Sequence, residues 1–145
     1  MTTEKETSQQ PPAWGAQRRS GPAKTLVVDD SPFVREGLHQ LAAKVPEIEI
    51  IATASDGIEA VELTLLSFPE LVLMDFQMPR MDGLTAARLM RAGHADIRII
   101  LMTAHDLEKV KASGVCKQID AFVGKQEIPM QLANIVRQLF PYRFS

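Results

Sequence analysis

The stretch that most constrains this chain is Leu71-Val72-Leu73-Met74-Asp75, followed by Phe76-Gln77-Met78-Pro79-Arg80-Met81-Asp82-Gly83. Four apolar residues without alternation, closed by turn chemistry, are the pattern of a strand buried on both faces. The strand is expected to stop near Asp75, because Pro79 cannot continue a ladder and Asp82-Gly83 is turn material. Asp75 then stands at the carboxyl end of a central strand. That end is where open parallel α/β sheets bind ligands. Taken alone, Asp75 reads as well as a turn aspartate capping the next helix. The rest of the chain decides between the two.

The other elements follow by pattern. Residues 1–22 are polar, carry Gln9-Gln10-Pro11-Pro12 and lack periodicity, so a disordered tail is expected ahead of a domain over residues 23–145. Trp14 with Arg18 and Arg19 offers a short docking element, but the composition favours a solvated tail. Lys24 to Val28 is a buried strand ending in Asp29-Asp30, and Ser31-Pro32 starts a helix from Phe33 to Lys44. Ile48 to Ala54 alternates as an edge strand would. Asp56 and Glu59 have capping-box spacing for a second helix, whose apolar face is expected to be Ile58, Val61 and Leu65.

Beyond Asp75, a helix is predicted over Leu84–Arg91, stopped at Gly93. Ile97 to Met102 is a strand ending at Thr103. A fourth helix starts near His105-Asp106, and Gly114 either closes or interrupts it. Ala121-Phe122-Val123 is a short strand followed by Gly124-Lys125, and Ile128 to Phe140 is the last helix, ended by Pro141. Five strands alternating with five helices call for a parallel sheet covered on both faces, with right-handed crossovers.

The chain of 145 residues is one domain's worth. A hydrophobic fraction of 46% and a charged fraction of 23% fit a soluble globular protein, and a net charge of -2 argues neither for nucleic acid nor for an anionic membrane surface, so no direct partner of either kind is expected. The single cysteine, Cys116, cannot form an internal disulfide, and no Cys/His cluster has zinc spacing. With no apolar run long enough to span a bilayer and no secretory pattern, a cytoplasmic location is expected.

Four strands therefore deliver Asp29 and Asp30, Asp75, Thr103 and Lys125 to one edge of the sheet. Ser31 already supplies the cap of the first helix, so the two adjacent aspartates have a different use, and a bound divalent cation is the natural one. Clustered carboxylates bind a hard cation through oxygen, and Mg2+ with retained waters suits a site of few protein ligands. A carboxylate is also a nucleophile toward phosphorus. In this reading Asp75 attacks, and Asp29 and Asp30 hold or orient Mg2+ with help from the backbone carbonyl of Gln77. Lys125 and the Thr103 hydroxyl each contact a phosphoryl oxygen.

Four segments carry a family resemblance: Leu26-Val27-Val28-Asp29-Asp30, Asp75 with Met78-Pro79-Arg80-Met81-Asp82-Gly83, Met102-Thr103-Ala104, and Phe122-Val123-Gly124-Lys125. Together they resemble the response-regulator receiver domains of two-component signalling, over about Lys24 to Phe140. The resemblance implies a flavodoxin-like doubly wound sheet of strand order 2-1-3-4-5. It implies a phosphoprotein rather than an enzyme, with only magnesium-dependent phosphotransfer to itself and autodephosphorylation. The donor is a phosphohistidine on a sensor histidine kinase or histidine phosphotransfer protein. Thr103 then swings toward the phosphate and Phe122 turns inward. The face made by the fourth helix, fifth strand and fifth helix changes its affinity for a downstream protein, as a monomer or homodimer. Gln77 and His105 occupy the positions that tune phosphoryl lifetime in the family.

The chain departs from the family in two places. Gln126 stands where the family usually has a proline in a cis peptide, so either the peptide is trans with Lys125 placed differently, or a costly non-proline cis bond is kept. Ser113 to Asp120 lacks the usual glycine-alanine pair. Two rivals stand beside the receiver reading. A phosphohydrolase with an aspartate nucleophile wants a second aspartate two residues on, where this chain has Gln77. A pseudo-receiver, a constitutive protein-binding module, draws support from Gln126 and is opposed by the acidic set. With no output domain after the last helix, a stand-alone receiver acting by protein contact, or as a phosphate relay or sink, is expected unless the chain belongs to a longer regulator.

Overall fold

A computed structural model describes residues 21–78, 80–104, 106–112 and 115–144, without the side chains of 115 and 116. Residues 1–20 of the expected N-terminal tail, Pro79, His105, Ser113 and Gly114 lie outside the described residues. The elements are β1 (Ala23–Val28), α1 (Pro32–Ala42), β2 (Ile48–Ala54), α2 (Gly57–Ser67), β3 (Leu71–Asp75), α3 (Gly83–Gly93), β4 (Arg98–Thr103), α4 (Leu107–Ala112), β5 (Ala121–Gly124) and α5 (Ile128–Leu139). Short 3-10 turns occupy Val115–Gln118 and Lys125–Glu127.

The five strands form one parallel sheet in the order β2-β1-β3-β4-β5. This is the doubly wound order expected, with β3 central and β2 at an edge. Every residue of β3 is buried. Its side chains alternate between two cores. Leu71 and Leu73 face the side packed by α1 and α5, with Leu38, Leu132 and Val136. Val72 and Met74 face the other side, with Ala60 of α2, Ala86 and Met90 of α3, and Val110 of α4. Two-sided burial is why the strand reads as an unbroken apolar run.

Helix starts follow their caps. Ser31 accepts the Val34 N–H at 3.2 Å, and Pro32 occupies the first turn. Asp56 accepts the Glu59 N–H at 2.9 Å, while the Glu59 carboxylate reaches back to the Ser55 N–H at 2.8 Å. Asp82 accepts the Thr85 N–H at 2.8 Å, which places the start of α3 at Gly83, one residue earlier than predicted.

Two expectations are corrected. The fully buried residues of α2 are Gly57, Ala60 and Thr64, with Val61 partly buried against the same core as expected, while Leu65 is 52% exposed. Small residues let this helix lie close to its neighbours, and the Thr64 hydroxyl is satisfied by the Ala60 carbonyl at 2.8 Å. Helix α1 ends at Ala42 rather than Lys44, because Ala43 caps it and the Lys44 N–H turns back to the Leu41 carbonyl at 2.8 Å.

Candidate functional site

The carboxyl ends of β1, β3, β4 and β5 converge. Asp29 follows β1 directly and is fully buried. Its Oδ1 accepts the Ser31 N–H at 2.9 Å, so it has a local structural role that the sequence reading did not assign. Its backbone carbonyl accepts a bond from Arg35 of α1 at 2.6 Å, which fixes the strand end from the other side. Asp30 is exposed. Asp75 ends β3, is 7% exposed, and accepts the Gln77 N–H. One oxygen from each of Asp29, Asp30 and Asp75 lies within 4.8 Å of the others.

Lys125 reaches this cluster from the turn after β5. Its Nζ donates to Asp29 Oδ2 at 2.8 Å and lies 3.3 Å from Asp75 Oδ1. No peptide among the described residues is cis, so Lys125-Gln126 is trans and the lysine still reaches both carboxylates. The 3-10 turn over Lys125–Glu127 accommodates Gln126. Gly124 has no Cβ where Glu127 folds back over it, since a Cβ there would run into the Glu127 carboxylate.

The electrostatics are unbalanced. Burial pushes the Asp75 carboxyl above its ordinary range, the Asp29 carboxylate pushes it further, and Lys125 only partly offsets this. Burial alone would lower the Lys125 ammonium, but Asp29 and Asp75 outweigh it and hold the ammonium above its ordinary value. Three carboxylates gather around one ammonium, which pairs with Asp29 and Asp75, and this leaves an excess of negative charge. A donor set made only of oxygens, crowded and undercompensated, is chemically matched to a hard divalent cation such as Mg2+.

Thr103 ends β4 beside Gly124 of β5 and is 1% exposed. Phe122 is half-buried, packs against the α2–α4 core, and has the Lys111 ammonium of α4 at 6.0 Å from its ring centroid. The Gln77 residue is exposed. The structure thus gathers Asp29, Asp30, Asp75 and Lys125 at one point and sets Thr103 at the neighbouring strand end. Phe122 is in the adjoining layer, and His105 lies outside the described residues.

Three arginines that tie separate elements together escaped the sequence reading. Arg80 donates through Nε to Asp56 Oδ2 at 3.0 Å and is also bonded to it through Nη2. Arg91 of α3 binds the carbonyls of Gln118 and Ile97 at 3.0 and 2.9 Å and pairs with Asp120, holding the segment before β5 where the usual glycine-alanine pair is missing. Arg143, at the opposite end of the sheet, pairs with the buried Glu70. None of them leaves a periodic signal, because each spans elements far apart in sequence.

The response regulator receiver domain family matches residues 25–137. A protein-glutamate methylesterase/protein-glutamine glutaminase of Geobacter metallireducens is 41% identical over 90 residues, covering 62% of this chain and 25% of that protein. The chain thus spans about a quarter of that relative's length. Among solved structures, a LuxR-family two-component response regulator from Aurantimonas sp. SI85-9A1 superposes with a TM-score of 0.75 at 29% identity, covering 84% of this chain and 87% of that one. The CheX-CheY-BeF3-Mg2+ complex from Borrelia burgdorferi gives 0.73 at 29%, covering 82% and 90%. The sheet order, the strand-end acidic cluster and the family match agree, and the chain belongs to the response regulator receiver domains of two-component signalling.

Proposed function

We propose that this receiver is a switch operated by phosphorylation of Asp75, with residues 23–145 as the working unit. The observation that carries the reading is the cluster of Asp29, Asp30 and Asp75 within 4.8 Å, with Lys125 Nζ shared between Asp29 and Asp75. An Asp75 oxygen attacks the phosphorus of a phosphohistidine. The P–N bond breaks, its electron pair returns to the imidazole nitrogen, and an aspartyl phosphate forms. Asp29, Asp30 and Asp75, with the backbone carbonyl of Gln77, would hold Mg2+, which neutralises charge on the phosphoryl oxygens. Lys125 leaves Asp75 to bind a phosphoryl oxygen while keeping Asp29. The Thr103 hydroxyl binds another, and Phe122 follows into the space beside it. The face of α4, β5 and α5 then changes its affinity for a downstream protein. The solved CheX-CheY-BeF3-Mg2+ complex, similar in fold, supports this reading.

The phosphohistidine partner docks beside α1. An apolar groove of about 240 Å³ runs between Val34, Leu38 and Leu41 of α1 and Ile128 and Pro129 of α5, with Lys125 in its wall. Phe33, at the start of α1, is 87% exposed. Gly37, inside the helix, has open space where a Cβ would be. A helical glycine with no packing reason weakens α1, and room for a partner helix explains it.

Transfer of radiolabel from a purified phosphohistidine protein tests the reading. Label should pass to the native chain in a hydroxylamine-labile bond and not to Asp75→Asn. Label arriving equally on both chains sinks the assignment, and label on neither favours the constitutive binding module.

A further inference from the structure

We infer that Arg80 is a positioning residue, whose bond to Asp56 sets the Gln77 carbonyl for metal binding. The inference rests on the metal site proposed above. The segment between β3 and α3 starts at Asp75 and ends at Asp82, the cap of α3. Arg80 lies within it at φ +69°, a left-handed conformation that side-chain-bearing residues adopt only at a cost. Glycine would sit there without strain, so what the arginine adds is what its side chain reaches. That is Asp56 Oδ2, which accepts from both Nε and Nη2. Asp56 has its other oxygen on the Glu59 N–H, so the anchor is itself fixed at the start of α2.

The neighbouring residues tighten the same hold. Met81 presses on Gly57 so closely that a Cβ at Gly57 would fall 2.9 Å from the Met81 Cβ and carbonyl. At the other end, the Gln77 N–H is held by the Asp75 carboxylate. The segment is therefore held on both sides of the Gln77 carbonyl, at the Gln77 N–H and at Arg80. The anchor also belongs to the metal end of the sheet. Asp56 follows β2, whose Ala54 carbonyl accepts the Asp29 N–H at 3.0 Å. The Arg80–Asp56 bond thus ties the loop carrying the Gln77 carbonyl to the strand ends carrying Asp29.

A purely stabilising role fits poorly. The Arg80 side chain is 59% exposed, and such pairs add little to folding. A partner that orients a ligand is worth about tenfold or more in metal affinity.

The test compares Mg2+ affinity by calorimetry in the native chain, Arg80→Gly, Asp56→Asn and the double variant. Glycine suits the left-handed backbone, and asparagine still caps α2. Each single variant should weaken Mg2+ by about tenfold, and the double variant no further than either single one. The Met78 amide, next after the Gln77 carbonyl, should move on Mg2+ addition in native protein and less in the variants. Melting temperatures of the metal-free chains should stay level. Native binding with unchanged affinity in both single variants overturns the clasp alone. Metal-free melting temperatures that fall in step with affinity reduce it to a structural pair. A native chain that binds no Mg2+ overturns the metal reading and the clasp with it.

Discussion

The two ends of the sheet bury carboxylates in opposite ways. At the amino ends of the strands, Glu70 is 4% exposed and meets Arg143, whose side chain is fully buried. The guanidinium donates Nη1 to Oε1 at 3.1 Å and Nη2 to Oε2 at 2.6 Å, and it lies 5.2 Å from the Phe140 ring centroid. The Lys24 N–H adds a bond to Oε1 at 2.9 Å. One carboxylate has one fixed, bidentate cation and a backbone donor. Beside it Glu47 pairs with Arg137 at 2.7 Å. At the carboxyl ends, three carboxylates cluster and Lys125 pairs with two of them, Asp29 and Asp75. The Glu70–Arg143 pair is closed and serves the fold, while Glu47 keeps one buried oxygen without a hydrogen-bond partner among the described residues. The cluster at the carboxyl ends is short of positive charge, and that shortfall is what a cation and a phosphoryl group can use.

The difference is measurable from both sides. Arg143→Ala leaves Glu70 buried without its cation and should cost about 3–5 kcal/mol of unfolding free energy in a denaturant titration. Arg143→Met with Glu70→Leu should recover most of that loss. A loss below about 1 kcal/mol would mean the lower end is not closed as described. At the upper end the sign reverses. Asp75→Asn removes a carboxylate raised by burial and by Asp29, so the metal-free chain at neutral pH should gain stability, on the order of 1 kcal/mol. A loss instead would show Lys125 to be adequate compensation.

Gly37→Ala should stabilise the chain by about 0.5–1 kcal/mol, since its Cβ meets nothing within 4 Å. The same variant should slow transfer from a phosphohistidine protein while leaving acetyl phosphate labelling alone. Equal slowing with both donors would remove the groove from partner docking.

Acid acts on the helix caps with the smallest effect. Asp56 is held below 3.8 by the Glu59 N–H and then Arg80, and Asp82 by the Thr85 N–H. A lowered carboxylate stabilises fully above its unfolded value and loses that as pH falls through its folded value. Asp56→Asn and Asp82→Asn should therefore flatten the acid limb of a stability–pH curve below 3.8 and leave the neutral region alone.

Much of this was legible in the sequence for one reason. A strand buried on both faces has to be apolar, so a polar residue at its end stands out, and Asp29, Asp75 and Thr103 were found that way. The parallel sheet followed from the alternation of elements, while its order came from family likeness. Contacts made by long side chains across the fold were not legible. Nothing near Arg143 announces Glu70, which lies 73 residues away in the chain. Arg80 looked like one residue of a motif, and its left-handed backbone has no signature when the residue is not glycine or asparagine. Leu65 was wrongly assigned to the buried face of α2 because Gly57, Ala60 and Thr64 read as weakly apolar although their smallness is what allows close packing.

The most direct measurement is the intact mass of the native chain and of Asp75→Asn after acetyl phosphate, with Mg2+ and with EDTA. The predicted result is one added phosphoryl group on the native chain with Mg2+, and none with EDTA or on Asp75→Asn. A phosphoryl group that persists in Asp75→Asn, or that forms equally well in EDTA, would contradict the assignment of the crowded upper end as a cation-dependent acceptor.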